Sequence, residues 1–255
     1  MQKRPTMKIT TLLFASSLLT GCVIGDQGGG SGENDGDILF GAADPGDPAV
    51  GMIRNVSDIQ LSGAPAAFNG CSATLITPQI MLTAGHCASQ GFLWTDVTFD
   101  PAPADLFAPE NTGGFSGAYV LADPQYNGDG TQGHDVALVF LSQPNYNVAP
   151  IARGPLPAIG SNITAVSYGD TNYDLSGFGT KRFGNLTVTA ENQHEIAAGR
   201  EGNNVCHGDS GGPVLQNGVQ VGVSSYVDTA DCHGGGHFMR IDDSLDFIHT
   251  YVPNY

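Results

Sequence analysis

The segment Cys206-His207-Gly208-Asp209-Ser210-Gly211-Gly212-Pro213 sets a serine among glycines. Glycine has no side chain to block a reacting carbonyl and accepts backbone turns that other residues resist, so the Ser210 hydroxyl can stand open to an electrophile. The N–H groups of Gly208 and Ser210 can then receive the negative charge that develops on the carbonyl oxygen. A serine hydroxyl is a weak nucleophile alone; it needs a histidine base and a carboxylate to orient that base. Two further segments supply them, Leu82-Thr83-Ala84-Gly85-His86-Cys87 and His134-Asp135-Val136-Ala137-Leu138-Val139. The chemistry these residue types support is covalent acyl transfer. Ser210 attacks, His86 takes its proton and returns it to the leaving group, and Asp135 steadies the imidazole.

Such a constellation must be carried by rigid elements. Apolar residues alternate with polar ones over Ser72 to Leu82, Val136 to Leu141, Ile163 to Tyr168, Leu186 to Ala190 and Val214 to Tyr226. Gly, Pro and Asn turns separate these runs, which predicts strands and an all-β domain. Helix is expected only near the end, where Asp242 or Asp243 would cap a stretch carrying Leu245, Ile248 and Val252 at helical spacing.

The three chemical blocks resemble those of the chymotrypsin/trypsin-like serine peptidases. Thr83-Ala84-Gly85-His86-Cys87 is similar to the family's TAAHC, Asp135-Val136-Ala137-Leu138 to its DIAL, and Gly208 to Pro213 matches GDSGGP letter for letter. Asp123-Pro124-Gln125-Tyr126-Asn127, Ser167-Tyr168-Gly169 and Val221 to Tyr226 resemble three further family segments, so the likeness extends over roughly residues 48 to 252. It implies two packed six-stranded antiparallel β-barrels, one over about 48–142 and one over about 155–240, with the active site between them and a short C-terminal helix. It implies a serine endopeptidase with a catalytic triad of His86, Asp135 and Ser210 and an oxyanion hole at Gly208 and Ser210. It also implies disulfides Cys71–Cys87 and Cys206–Cys232, and no metal or organic cofactor.

For substrate binding the resemblance points to Asn204, His207, Ser225, Tyr226, Val227 and Gly236. Asn204 stands at the base of the primary pocket, where trypsin-like enzymes carry aspartate, so cleavage after basic residues is disfavoured. Val227 on the pocket wall, facing Gly236, would narrow it as in elastase-like enzymes and favour a small or medium uncharged residue. His207 and His237 border the cleft and would instead favour an acidic one. The family is activated by a cut before an IVGG-like sequence, and the new amine pairs with the aspartate preceding the nucleophile, here Asp209. Ala49-Val50-Gly51-Met52 lies at about that place, but Asp44-Pro45-Gly46-Asp47-Pro48 before it offers no basic residue. Either another protease cuts here or Asp209 is satisfied without a free amine.

Other chemistries fit less well. Gly208-x-Ser210-x-Gly212 also satisfies the nucleophile elbow of α/β-hydrolases, with Asp231 or Asp242 and then His249 in the required order. Only 45 residues follow Ser210, too few for the remaining strand–helix units. His207, His233 and His237 could suggest a metal, yet Gly234-Gly235-Gly236 between the last two argues for a loop rather than a ligand-bearing helix. An inactive protease fold serving as a surface binding or adhesion module would retain no need for all three triad residues. An esterase using the same triad remains chemically compatible.

The N-terminus carries Lys3, Arg4 and Lys8, and then an apolar run from Ile9 to Leu19 too short to span a bilayer. This reads as a signal peptide over 1–21. Leu19-Thr20-Gly21-Cys22 resembles the bacterial lipobox, which accounts for the fifth, odd cysteine as a lipidation site at Cys22. Residues 22–47 read as a flexible Gly/Asp-rich tether or a propeptide, and 48–255 as the protease domain. The expected product is a monomer, exported and held at a membrane through its lipid, or else secreted or periplasmic, acting on polypeptide substrates. The whole chain has a formal charge of −16; loss of residues 1–21 removes three of nine basic residues and no acidic one, leaving six against 25, or −19. Such a surface repels nucleic acid and anionic lipid, so attachment would come from acylation rather than charge.

Overall fold

A computed structural model describes residues 39, 41–44, 46–59, 65–88, 92, 94–104, 106, 115–116, 119–174 and 176–255. The segment read as a signal peptide, Cys22 and most of the segment read as a tether lie outside the described residues. Among those described, no helix is long and apolar enough to cross a membrane.

The first barrel is built from β2 (Val50–Ile59), β3 (Pro65–Thr77), β4 (Ile80–Thr83), β5 (Trp94–Thr98), β7 (Tyr119–Ala122) and β8 (Ala137–Phe140), with a two-residue strand β6 (Phe115–Ser116) on β5. The strands pair in the order β6-β5-β2-β3-β4-β8-β7, all antiparallel. The second contains β9 (Asn162–Ser167), β10 (Arg182–Glu191), β11 (Glu195–Ala198), β12 (Pro213–Gln216), β13 (Val219–Val227) and β14 (Gly236–Arg240). These close in the ring β9-β10-β11-β14-β13-β12, and β1 (Ala42–Ala43) is added outside on β10. Two six-stranded antiparallel barrels, each with one short extra strand, are thus present, followed by the helix α1 (Leu245–Tyr251).

Alternation explains these strands. Along β10, Leu186 and Val188 are buried while Asn185, Thr187 and Thr189 face solvent, the two-residue period of a pleated strand with one wet face. Leu186 and Val188 pack with Ile163, Ile196, Val214, Val221 and Phe238 inside the second barrel. Ile53, Leu75, Met81, Leu82, Val97 and Leu138 fill the first, and Phe247 and Ile248 of α1 pack against the same cluster. Val50, Met52, Val166, Tyr168 and Leu215 form a third cluster joining strands of both barrels.

Several expectations need correction. The run Val214 to Tyr226 is a hairpin: it breaks at Asn217-Gly218, both with positive φ, the backbone a two-residue turn demands. Ser72 to Leu82 likewise divides into β3 and β4 around Pro78-Gln79. The helix is not capped by Asp242 or Asp243, since those residues lie in a 3-10 turn, Ile241–Ser244, that precedes it. Their carboxylates serve other partners instead: Asp242 accepts from its near neighbour Arg240 at 2.6 and 3.0 Å, and Asp243 pairs with the distant His194 at 2.8 Å. The sheet also begins before residue 48, because Ala42 and Ala43 pair with Phe183 and Arg182.

Candidate active site

His86 sits on a single 3-10 turn, Gly85–Ala88, at the end of β4. The adjacent Cys87 is bonded to Cys71 of β3 with an S–S distance of 2.01 Å, which ties this turn to the barrel wall. Gly85 is required by space, since a Cβ there would lie 2.9 Å from the Tyr126 ring and 3.0 Å from Asp135 Oδ1. Asp135 enters just before β8 and is 1% exposed. Its Oδ1 accepts the backbone N–H of His86 at 2.7 Å, and its Oδ2 lies 2.8 Å from His86 Nδ1. The Ser225 hydroxyl donates to the same Oδ2 at 2.5 Å.

This carboxylate is burdened by burial, which raises its pKa. Hydrogen bonds from His86 and Ser225 and the nearby imidazole outweigh that cost, so the carboxyl is held below its usual range. An ionised acceptor at Oδ2 puts the imidazole proton on Nδ1 and leaves Nε2 as the basic nitrogen. Ser225 reaches Asp135 because the β13–β14 register shifts between Ser224 and Tyr226, an irregularity that re-aims the side chain lying at it. Tyr126, beside the same carboxylate, has its phenol pushed up to about 12 by burial and then by Asp135's charge.

Ser210 lies in a turn leading into β12 and is half-buried. Its carbonyl accepts the N–H of Ser72 at 2.8 Å and lies 3.9 Å from Cys87 Sγ, so the second-barrel serine is moored beside the residue that follows His86. Ser72 Oγ also donates to the Gly208 carbonyl at 3.0 Å. Gly211, with φ +82°, passes so close to the first barrel that a Cβ would be 2.0 Å from Thr83 Oγ1. Gly208, with φ +89°, lies under the Phe178 ring with the same lack of room. Among the described residues, the N–H groups of Gly208 and Ser210 donate to no protein acceptor. An oxyanion placed before them would therefore meet unspent donors.

Beside this loop, Asn204 is completely buried, its Nδ2 donating to Gly234 O at 2.5 Å and its Oδ1 lacking a partner. Gly236 faces Val227 across the β13–β14 pair, and a Cβ on Gly236 would lie 2.8 Å from Asn204 Oδ1. The bridge Cys206–Cys232, S–S 2.07 Å, joins the serine loop to the loop before β14. His207 is exposed and donates from Nε2 to Ala230 O at 2.8 Å.

His237 is not in a loop but on β14, stacked on Tyr226 with ring centres 4.3 Å apart and planes 5° from parallel. Its Nε2 meets Asp228 Oδ1 at 2.9 Å and its Nδ1 lies 3.2 Å from Glu195 Oε1, while Tyr226 donates its hydroxyl to Glu195 Oε2 at 2.5 Å. His233 stacks on Tyr173 at 3.8 Å and pairs with exposed Glu201 at 3.2 Å. The three histidines weighed as metal ligands thus engage separate partners. Two compact groups, Cys71/His86/Cys87 and Cys206/His207/Cys232, have metal-like spacing, but their cysteines are spent in disulfides and offer no thiolate. His249 lies on α1 and contacts Tyr255 O at 3.2 Å, remote from the elbow role considered for it.

Sequence reasoning missed the hydroxyl of Ser167, which donates to Asp209 Oδ1 at 2.5 Å, and the Glu195 carboxylate behind Tyr226. A lone serine or glutamate in a strand carries no local signal; only the fold gives each its partner.

The family model described as Trypsin matches residues 54–248. Among curated proteins, the chain is 27% identical over 200 residues to serine protease SP24D of Anopheles gambiae, covering 72% of this chain and 73% of that one. It is 26% identical to brachyurin of Leptuca pugilator, covering 71% and 86% respectively. A solved structure titled "Structure of GrC" aligns with a TM-score of 0.66 at 21% identity, over 82% of this chain and 95% of that chain, a likeness of fold.

Proposed function

Since the chain belongs to the trypsin family of serine proteases and is a serine endopeptidase, we propose that it cleaves peptide bonds through His86, Asp135 and Ser210, by way of an acyl-enzyme. The observation that carries this reading is the two-point grip of Asp135 on His86, at the backbone N–H and at Nδ1. It fixes both the position and the tautomer of the base. In this reading His86 Nε2 takes the Ser210 proton as the hydroxyl attacks the carbonyl carbon. The resulting oxyanion is held by the N–H groups of Gly208 and Ser210. His86 then gives the proton to the departing amine, and water repeats the sequence on the ester. The direct test is a fluorophosphonate: one equivalent should attach to Ser210, located by mass spectrometry. A folded wild-type protein that takes up none would overturn the assignment.

Residues Asn204, His207, Ser225, Tyr226, Val227 and Gly236 are assigned to substrate binding. A buried, uncharged Asn204 offers no ion pair to arginine or lysine, and half-buried Val227 occupies space on the adjacent strand. Small or medium uncharged residues should therefore precede the scissile bond. In a peptide panel varied only there, alanine or valine should exceed arginine by about 100-fold or more in kcat/KM, the scale of burying a charge with no counter-charge to meet it. Fastest cleavage after arginine would reject this pocket assignment.

The two disulfides place the folded enzyme in an oxidising compartment. We assign residues 1–21 to a bacterial lipoprotein-type signal peptide, Cys22 to acylation, 22–47 to the tether, whose Ala42 and Ala43 already pair with β10, and 48–255 to a monomeric protease domain. The apolar run ending directly at Leu19-Thr20-Gly21-Cys22 supports this reading. Cys22→Ser should move the protein from the membrane fraction to the soluble fraction; unchanged membrane retention would remove the anchor from Cys22.

A further inference from the structure

His134, the residue just before Asp135, holds its backbone at φ +59°, a left-handed conformation uncommon outside glycine. Such a conformation persists where the surroundings over-determine it. Gly133 before it also has positive φ, +81°, and no space for a side chain: a Cβ there would lie 2.5 Å from Asp243 Oδ2 and 2.6 Å from His194 Nδ1. Two consecutive positive-φ residues thus lead the chain into Asp135.

The aim of Asp135 depends on this turn. The Val136 N–H donates to the His134 carbonyl at 2.7 Å, which makes Asp135 the central residue of a three-residue turn. The Val136 carbonyl in turn accepts the Asp123 N–H at 2.8 Å. Rotation of the backbone at His134 therefore re-aims the Asp135 carboxylate, whose two bonds to His86 leave little latitude.

The His134 side chain is clamped on both edges. Nδ1 faces Oδ2 of buried Asp123 at 3.3 Å, and a carboxylate can only accept there, so the ring proton sits on Nδ1. Asp123 is itself fixed, because its Oδ1 accepts the Gln125 N–H at 2.9 Å. On the other edge, Nε2 lies 3.9 Å from Asp243 Oδ2, an ion-pair separation rather than a hydrogen bond. The same oxygen meets His194 Nδ1 at 2.8 Å, and the two imidazole rings stand 6.3 Å apart. Asp123 follows β7 in the first barrel, His194 joins β10 to β11 in the second, and Asp243 lies in the 3-10 turn before α1. Three elements thus converge on one imidazole.

We propose that His134 is a positioning residue for the triad: gripped between Asp123 and Asp243, its side chain holds the left-handed backbone that aims Asp135 at His86. It acts through Asp135 and not on the substrate. The inference rests on Asp135 being the carboxylate that orients the base.

The test uses His134→Gly and His134→Asn in the full chain. Glycine adopts this backbone without strain, so the fold is kept while the clamp is lost. For His134→Gly, kcat should fall about 100-fold, the scale of a misplacement of roughly 1 Å at a catalytic group. KM should stay within about twofold, since no substrate contact is removed. The low-field proton resonance of His86 Nδ1–H, which reports the bond to Asp135, should shift or broaden. His134→Asn should return kcat to within about fivefold of wild type, because asparagine tolerates left-handed backbone and its amide can donate to Asp123.

An unchanged kcat and resonance in His134→Gly would overturn the proposal, as would a loss confined to KM. So would an asparagine variant no better than glycine. Asp135→Asn is the control that separates the two readings. If it leaves kcat intact, the triad assignment falls and the inference with it. If it is crippled while His134→Gly is silent, only the positioning role of His134 falls.

Discussion

Replacing Ser210 by alanine is expected to lower peptide turnover by on the order of a million-fold, the scale at which loss of a serine nucleophile leaves only binding and oxyanion stabilisation. The protein should fold as before. The Ser210 hydroxyl makes no structural hydrogen bond among the described residues; its carbonyl, which the substitution retains, is what moors the loop to Ser72. Alanine is therefore a subtraction of one oxygen from an intact site. The measurement pairs steady-state hydrolysis of a peptide with the thermal midpoint of unfolding. Retention of more than about a hundredth of the activity with an unchanged midpoint would remove Ser210 from the chemistry.

Asp135→Asn is expected to cost about 10⁴-fold in kcat, the magnitude typical of this change in a serine protease triad. The geometry gives the reason. The backbone N–H of His86 must still find an acceptor, so the amide oxygen takes the place of Oδ1. The amide nitrogen then occupies the place of Oδ2, facing His86 Nδ1 and the Ser225 hydroxyl. It can only donate there, so Nδ1 becomes the acceptor and the ring proton moves to Nε2, the nitrogen that must receive a proton from Ser210. The substitution leaves the side chain's shape unchanged and reverses the base. The loss should fall on kcat with KM nearly unaltered, since no substrate contact is removed. An Asp135→Asn variant within tenfold of wild type would show that the imidazole is oriented by something other than this carboxylate.

The parts legible in the sequence are those whose meaning is local. Leu186 and Val188 announce a strand because burial on one face repeats every second residue. The serine, histidine and aspartate blocks announce a site because each is a contiguous string. Strand β2 is illegible for the opposite reason. Arg54 and Asn55 are polar yet buried, Arg54 paired with Asp96 at 3.4 Å and Asn55 accepting from Thr95 at 2.7 Å, so the expected alternation is erased by partners forty residues away. Strand β14 hides behind three glycines that suggest a loop, and only the folded chain gathers Glu195, Tyr226 and Asp228 around its His237. The aspartates before α1 look like caps by residue type alone; Asp242 is instead taken by Arg240 two residues away, and the claim of His194 on Asp243 is tertiary. The same holds for Ser167, whose importance lies wholly in what the folded chain brings against it.

One consequence of the contact between Lys181 and the Asp47 carbonyl concerns amine chemistry. Lys181 is the only lysine after residue 8, and its ammonium is buried against the Asp47 carbonyl. Burial also lowers its pKa, although Asp44 and Asp47 oppose that shift. From residue 9 onward an acylating reagent meets no accessible side-chain amine on the folded enzyme. Immobilisation or dye attachment through lysine will fail on it. The Lys181 amine becomes available only when the segment carrying Asp47 lifts away, so acylation of that side chain reports the segment's detachment.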